Sequence, residues 1–398
     1  MTAVSDRIIA VPQSSLIISR TDMRGVIQSV NEAFIDISGY ATEELINAPH
    51  KIVRHPDMPK GVFQLLWDRL KDGRPVAGYV KNKCKNGDAY WVFAIITPLD
   101  GGFMSMRIRP DPTHVATIEK LYKDLRTSER DGTLSPSQSA RKIDDAAVEL
   151  GFTHYMSFIT QQLTLELTQR DAQTGKPINQ KTASIASLMK DWRSAWADCD
   201  DILMAYESFD LKPMNMRIQS GHLKSKGVAL SVIASNFAAI SSEINTDLAN
   251  FSHAMETVTE TILDCLFLAN VHNLIAEASE LLQQEGHCHG DQDDIFGQQN
   301  ELYAKDIALC EGRVLKSLTE FLDTTEKIKR QLSALSVTRV MCAIEVAQLS
   351  GHEGDDLTAI IEDLDTFQTA TRIKLGGISV RLIQMRSVLT HHRAQAAA

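Results

Sequence analysis

A chain of 398 residues is too long for one ordinary core, so two or three domains are expected. Its composition, 43% hydrophobic and 23% charged, is that of a soluble globular protein, and no run of eighteen apolar residues or basic-then-apolar N-terminal leader is present, so neither a membrane span nor secretion is expected. A formal charge of −10 argues against nucleic-acid binding, which needs cationic surface to neutralise phosphates; a cytoplasmic protein is the expectation.

The charge is uneven. Residues 1–120 hold 15 Lys/Arg against 13 Asp/Glu, so the remainder carries the negative excess, as expected of solvated helix faces and partner surface. The six cysteines are scattered without a Cys-x-x-Cys pair, which reads as reduced thiols packed as small hydrophobes. His287, Cys288, His289 and Asp291 cluster in a Gly-flanked acidic stretch, but a chelating site needs a second, distant pair of ligands, so the cluster reads as a loop.

In chain order, residues 15–20 form a β-rich run, 22–25 a turn and 26–30 a second strand. Asn31 caps a helix carrying Phe34, Ile35 and Ile37 that stops at Gly39. Thr42, Glu43 and Glu44 open a short helical turn. Over 58–72 the apolar positions 62, 63, 65, 66, 67 and 70 predict an amphipathic helix, ended by Gly73 and Pro75. Strands follow at 76–84, 89–97 and 102–109, the first two joined by the hairpin signal Lys85-Asn86-Gly87-Asp88. This order predicts an α+β domain over 14–112: an antiparallel five-stranded sheet, helices gathered on one face, and a ligand pocket between the layers.

Pro110 and Pro112 end the last strand, 115–125 reads as a connecting helix, and 128–139 as a linker, so that 113–141 joins two domains. From residue 142 to the end the spacing is helical, broken near 175–177, 212–213, 221–227, 285–297, 351–356 and 376–377. Five to seven helices are expected, in a bundle of two hairpins over about 142–285 and 298–393.

The run Ala48-Pro49-His50-Lys51-Ile52-Val53-Arg54-His55-Pro56-Asp57-Met58-Pro59, with 80–92 and with Asn31-Glu32-Ala33-Phe34, closely resembles the PAS domain of the aerotaxis-receptor family. The resemblance covers residues 14–110 and implies noncovalent FAD and a report of redox state or oxygen supply. It implies cofactor roles for Arg54, His55 and Asp57, beside the aromatics Trp67 and Trp91. Cationic Arg54 and His55 suit a pyrophosphate, aromatic walls suit an isoalloxazine, and the amides of Asn31 and Asn82 suit the flavin's polar edge. No cysteine lies between 31 and 83, so a light-driven flavin adduct is not expected; haem, with His50 or His55 as axial ligand, is the alternative cofactor.

Residues 213–222 and 226–234 are similar to the hairpin tip of chemoreceptor signalling domains, with an echo at 343–361 around Ser350-Gly351-His352. This likeness implies a homodimer and a signalling partner, such as a chemotaxis adaptor or kinase. The family's run of small polar residues at the tip is poorly kept, so kinase coupling and a plain PAS scaffold both stay open. No phosphate loop, kinase box or Ser-His-Asp set occurs, and an enzyme is not expected.

Overall fold

In the first hundred residues the antiparallel sheet has the spatial order β2-β1-β5-β4-β3, with β1 Ile17–Asp22, β2 Ile27–Val30, β3 Val76–Lys83, β4 Ala89–Leu99 and β5 Gly102–Ile108. Between β2 and β3 lie α1 Glu32–Ser38, α2 Thr42–Leu45, a 3-10 turn His50–Val53 and α3 Lys60–Lys71. This computed structural model describes residue 5 and residues 7–177, 179–209, 212–222, 227–286, 291–349 and 355–397. Local chemistry sets several boundaries. The Asn31 side chain accepts from the Phe34 amide to start α1, and Gly39 at φ 70° ends it in the left-handed region open to glycine.

Helices continue the chain: α4 Pro112–Arg130, α5 Pro136–Glu149, α6 Tyr155–Thr174, α7 Gln180–Phe209, α8 Lys212–His222, α9 Val228–Gln284, α10 Asp291–Val346 and α11 Asp355–Ala397. Pro112 and Pro136 are first-turn residues behind the caps Asp111 and Ser135, so the prolines that ended a strand and marked a linker in the sequence begin helices instead. The expected 128–139 linker shrinks to the short turn between α4 and α5. Helix α11 also runs unbroken through Gly376 and Gly377. The His287–His289 cluster and His352 lie outside the described residues.

The sheet is covered on both faces, not on one as the sequence suggested. Strand β5 is buried throughout and β4 nearly so, which is why residues 89–96 read as a continuous apolar run in place of alternation. On the face away from α3, Trp91 lies 6.2 Å from the Tyr122 ring of α4 and Tyr79 reaches α6, while along the outer edge of β3 the Tyr122 and Tyr155 hydroxyls donate to the Tyr79 and Ala77 carbonyls at 3.1 and 2.9 Å. Tyr79 Oη donates in turn to the buried Glu166 carboxylate at 2.8 Å.

Two compact units result: residues 1–183 with 263–308, and residues 184–262 with 309–398. The division does not follow the chain-order segments, because the sheet domain shares a core with α4–α6 and with parts of α9 and α10. Within this first unit Arg170, buried, pairs with Glu277, and Thr97 bonds Tyr303. The second unit is helical around Trp192, Phe251 and Phe321, the last two stacked at 4.2 Å between centroids. Among the described residues one helix, α9, contains an 18-residue window of mean hydropathy 1.2, with 33% of it buried. That length-and-composition match was not expected from the sequence; buried Leu230, Ile233, Phe237 and Ile244 along the same helix are spaced as a core-facing stripe.

Candidate functional site

Between the sheet and α3 lies a cavity of about 330 Å³. Strand alternation decides which side chains reach it. Val80 and Asn82 of β3, Ala94 and Ile96 of β4, and Phe103, Ser105 and Arg107 of β5 line the cavity, while their odd–even neighbours point to the opposite layer. Helix α3 closes it with Phe63, Leu66, Trp67 and Leu70, positions set by its helical spacing. Trp67 meets Phe103 edge to face at 5.2 Å. Arg24, Lys51 and Arg54 stand at the exposed end, the Arg54 guanidinium lying 3.7 Å above the Phe63 ring.

The buried end is polar. Arg107, 3% exposed, donates to Ser19 Oγ at 3.0 Å and lies 2.6 Å from His50 Nε2, with Phe34 under its charge at 5.4 Å. Burial, then the adjacent Arg107 charge, push His50 down to about 3, so its ring is neutral and Nε2 accepts from the guanidinium. Burial also lowers Arg107, to about 10, which still leaves it charged near neutrality. Among the described residues, buried Asn82 Nδ2, Ser105 Oγ and Arg107 Nη1 find no hydrogen-bond partner.

The residues singled out in the sequence divide into two groups. Arg54, Trp67 and Asn82 line the cavity, and the Arg54 and Asn82 backbones form a β-bridge that ties the signature loop to β3. Asn31, His55, Asp57 and Trp91 are not among the lining residues. Asn31 spends its amide on backbone: Oδ1 accepts from Ile18 at 2.8 Å and Nδ2 donates to Leu16 at 2.9 Å. His55 is buried and its Nδ1 accepts from the Asp57 amide at 3.2 Å. Asp57 is 56% exposed, within 3.5 Å of Lys81 and 3.7 Å of Arg130. Trp91 belongs to the far face of β4, 6.2 Å from the Tyr122 ring. Of the candidate axial histidines, His50 lines the cavity with Nε2 2.6 Å from Arg107, and His55 lies off the cavity lining.

Arg107 and Ser105 went unnoticed in the sequence, although a signal existed. Two polar residues at i and i+2 inside an otherwise apolar strand mark one face of that strand as polar.

A second feature ties the cavity wall to α4 and α5. Pro59 offers α3 no side-chain cap; Glu129, from the last turn of α4, accepts instead from the Lys60 and Gly61 amides at 2.7 and 2.8 Å. Arg126 of α4 donates to the Pro56 carbonyl at 2.9 Å. Gly61 lies against α5 so closely that a Cβ there would sit 2.5 Å from Ser139 Oγ.

Residues 27–106 match the PAS fold family. Over 122 residues the chain is 46% identical to the aerotaxis receptor of Escherichia coli K12, a match covering 29% of this chain and 24% of the receptor. It is 33% identical over 89 residues to a nitrogen fixation regulatory protein of Klebsiella pneumoniae, covering 22% of this chain and 18% of that one. The chain thus spans about a quarter or less of the length of these relatives. Among solved structures, the PAS domain of a Colwellia psychrerythraea protein is similar at 18% identity and a TM-score of 0.22, over 24% of this chain and 85% of that one. The LOV domain of a blue-light activated histidine kinase from Erythrobacter litoralis is similar at 18% identity and a TM-score of 0.22, over 24% and 94% respectively.

Proposed function

Residues 27–106 being a PAS domain, in a chain similar to part of an aerotaxis receptor, we propose that the cavity binds FAD noncovalently and that the chain is a cytoplasmic, homodimeric redox sensor in signal transduction. The observation that carries this reading is the set of unpartnered polar atoms around the cavity: Asn82 Nδ2, Ser105 Oγ and Arg107 Nη1. Buried polar groups nearly always have partners, so a ligand with a polar edge is expected among them. The aromatic rings of Phe63, Trp67 and Phe103 supply the apolar wall a flat heterocycle needs.

Size and charge agree. A volume of about 330 Å³ lies at the low end of ligand cavities and suits the ring system rather than a whole dinucleotide. The pyrophosphate then belongs at the exposed end, where Lys51 and Arg54 supply positive charge beside Arg24, itself paired with Asp22. Bound FAD supplies reversible electron uptake. This chain's own residues hold the ring, exclude water and register its altered hydrogen-bond demand through Asn82 and Arg107. Helix α3 walls the cavity and is capped by Glu129, so a shift of α3 bears directly on α4. Output is proposed to pass through the helices to a protein partner, such as a chemotaxis adaptor or kinase, without catalysis by this chain.

The test is the visible spectrum of the purified full-length chain, followed by denaturation and chromatography of the released material. Flavin bands with released FAD are expected, and Arg54→Ala should lower FAD content while the fold stays intact. A colourless protein that remains colourless after incubation with FAD refutes the reading.

A further inference from the structure

Arg107 is buried without the partner such a group normally has. A guanidinium buried to 3% exposure ordinarily faces a carboxylate, since an uncompensated internal charge is among the costliest arrangements in a protein. Here, among the described residues, the groups that face it are all neutral. His50 of the 3-10 turn and Ser19 of β1 take two of its donors, Phe34 of α1 offers a ring face, and Tyr90, on β4 beside the Arg107 strand, is the titratable group that acts on it electrostatically. Burial holds the Tyr90 hydroxyl well above the ordinary phenol value, hence protonated. Nη1 has no partner among the described residues, and the side chain lines the cavity.

We infer that Arg107 is the charge-reading residue of this cavity: it recognises negative charge on the ligand's buried edge and so favours the reduced, anionic form of a bound flavin over the oxidised, neutral one. The inference rests on the FAD reading above and adds to it a residue and a direction. In balance, the oxidised ring takes two electrons from a low-potential donor and one proton at N5, leaving one negative charge on the N1–C2 carbonyl edge. A second proton is not taken up, because the fixed positive charge of Arg107 supplies what that proton would. Neutral His50 sharpens the effect: as an acceptor it orients the guanidinium without adding charge of its own.

The experiment uses the full chain loaded with FAD and titrated with dithionite against reference dyes. For the unsubstituted protein, uptake of one proton per two electrons gives a midpoint potential that falls by about 30 mV per pH unit between pH 6 and 8. A slope of about 59 mV, meaning two protons, overturns the inference. Arg107→Met is expected to bind the reduced form at least tenfold less well relative to the oxidised form, lowering the potential by about 30 mV, with Arg107→Lys in between. An Arg107→Met protein that binds FAD at an unchanged potential also overturns it. Should that variant not fold, the pH slope of the unsubstituted chain still decides. Failure of the unsubstituted chain to bind FAD at all refutes the function proposed above, and this inference with it, whereas bound FAD with a two-proton slope refutes this inference alone.

Discussion

Replacing Glu129 with alanine removes the cap of α3 from a position 68 residues away in sequence. The carboxylate is 1% exposed and accepts two of the amides that a helix start leaves without partners, at 2.7 and 2.8 Å. Loss of a cap costs ~1 kcal/mol, and loss of a negative charge at a helix N-terminus up to ~1 kcal/mol more, so roughly 2 kcal/mol is at stake. Pro59 cannot substitute, having no side-chain acceptor. The Arg126 contact, at 3.7 Å and partly exposed, adds little. Because the loss is local, the assay is amide hydrogen exchange across residues 58–66. A drop of about 2 kcal/mol in opening free energy accelerates exchange about 30-fold. Glu129→Gln, which retains one acceptor, should fall between. Unchanged protection in a natively folded Glu129→Ala protein refutes the trans-cap, and with it the direct link from the cavity wall to α4.

Gly61→Ala tests the neighbouring contact: its Cβ would meet Ser139 Oγ at 2.5 Å and the Ala140 backbone nitrogen at 2.7 Å, so thermal denaturation should report a loss of ~1–3 kcal/mol. Glu166→Ala strips partners from the buried Tyr79 hydroxyl and from the Asp111 amide, with a loss of at least ~1–3 kcal/mol expected in urea unfolding. His50 predicts a pH dependence. Its value falls from 6.5 unfolded to about 3 folded, so the unfolded chain binds more protons between those limits. The stabilisation is complete above pH 6.5 and is lost as pH falls toward 3, and His50→Gln should flatten the drop between about pH 7.5 and 5 in urea midpoints relative to the unsubstituted chain.

The elements of the N-terminal domain were legible in the sequence alone, because their signals are local: Asn31 and Gly39 bracket α1, the spacing over 58–72 marks α3, and Asn86-Gly87 turns β3 into β4. Arg54, Trp67 and Asn82 line the cavity, carried by a loop, a helix and a strand that are each marked by local signals. Which side chains share the cavity was settled by long-range packing instead. Strand parity turned Trp91 to the far layer, and backbone bonds absorbed Asn31, while the pairing of β1 and β5 brought Ser19 and Arg107 together across 88 residues. The same holds for covering both faces of the sheet and capping α3 from α4: each joins groups far apart in the chain, and a local propensity carries no information about a partner that only folding brings near.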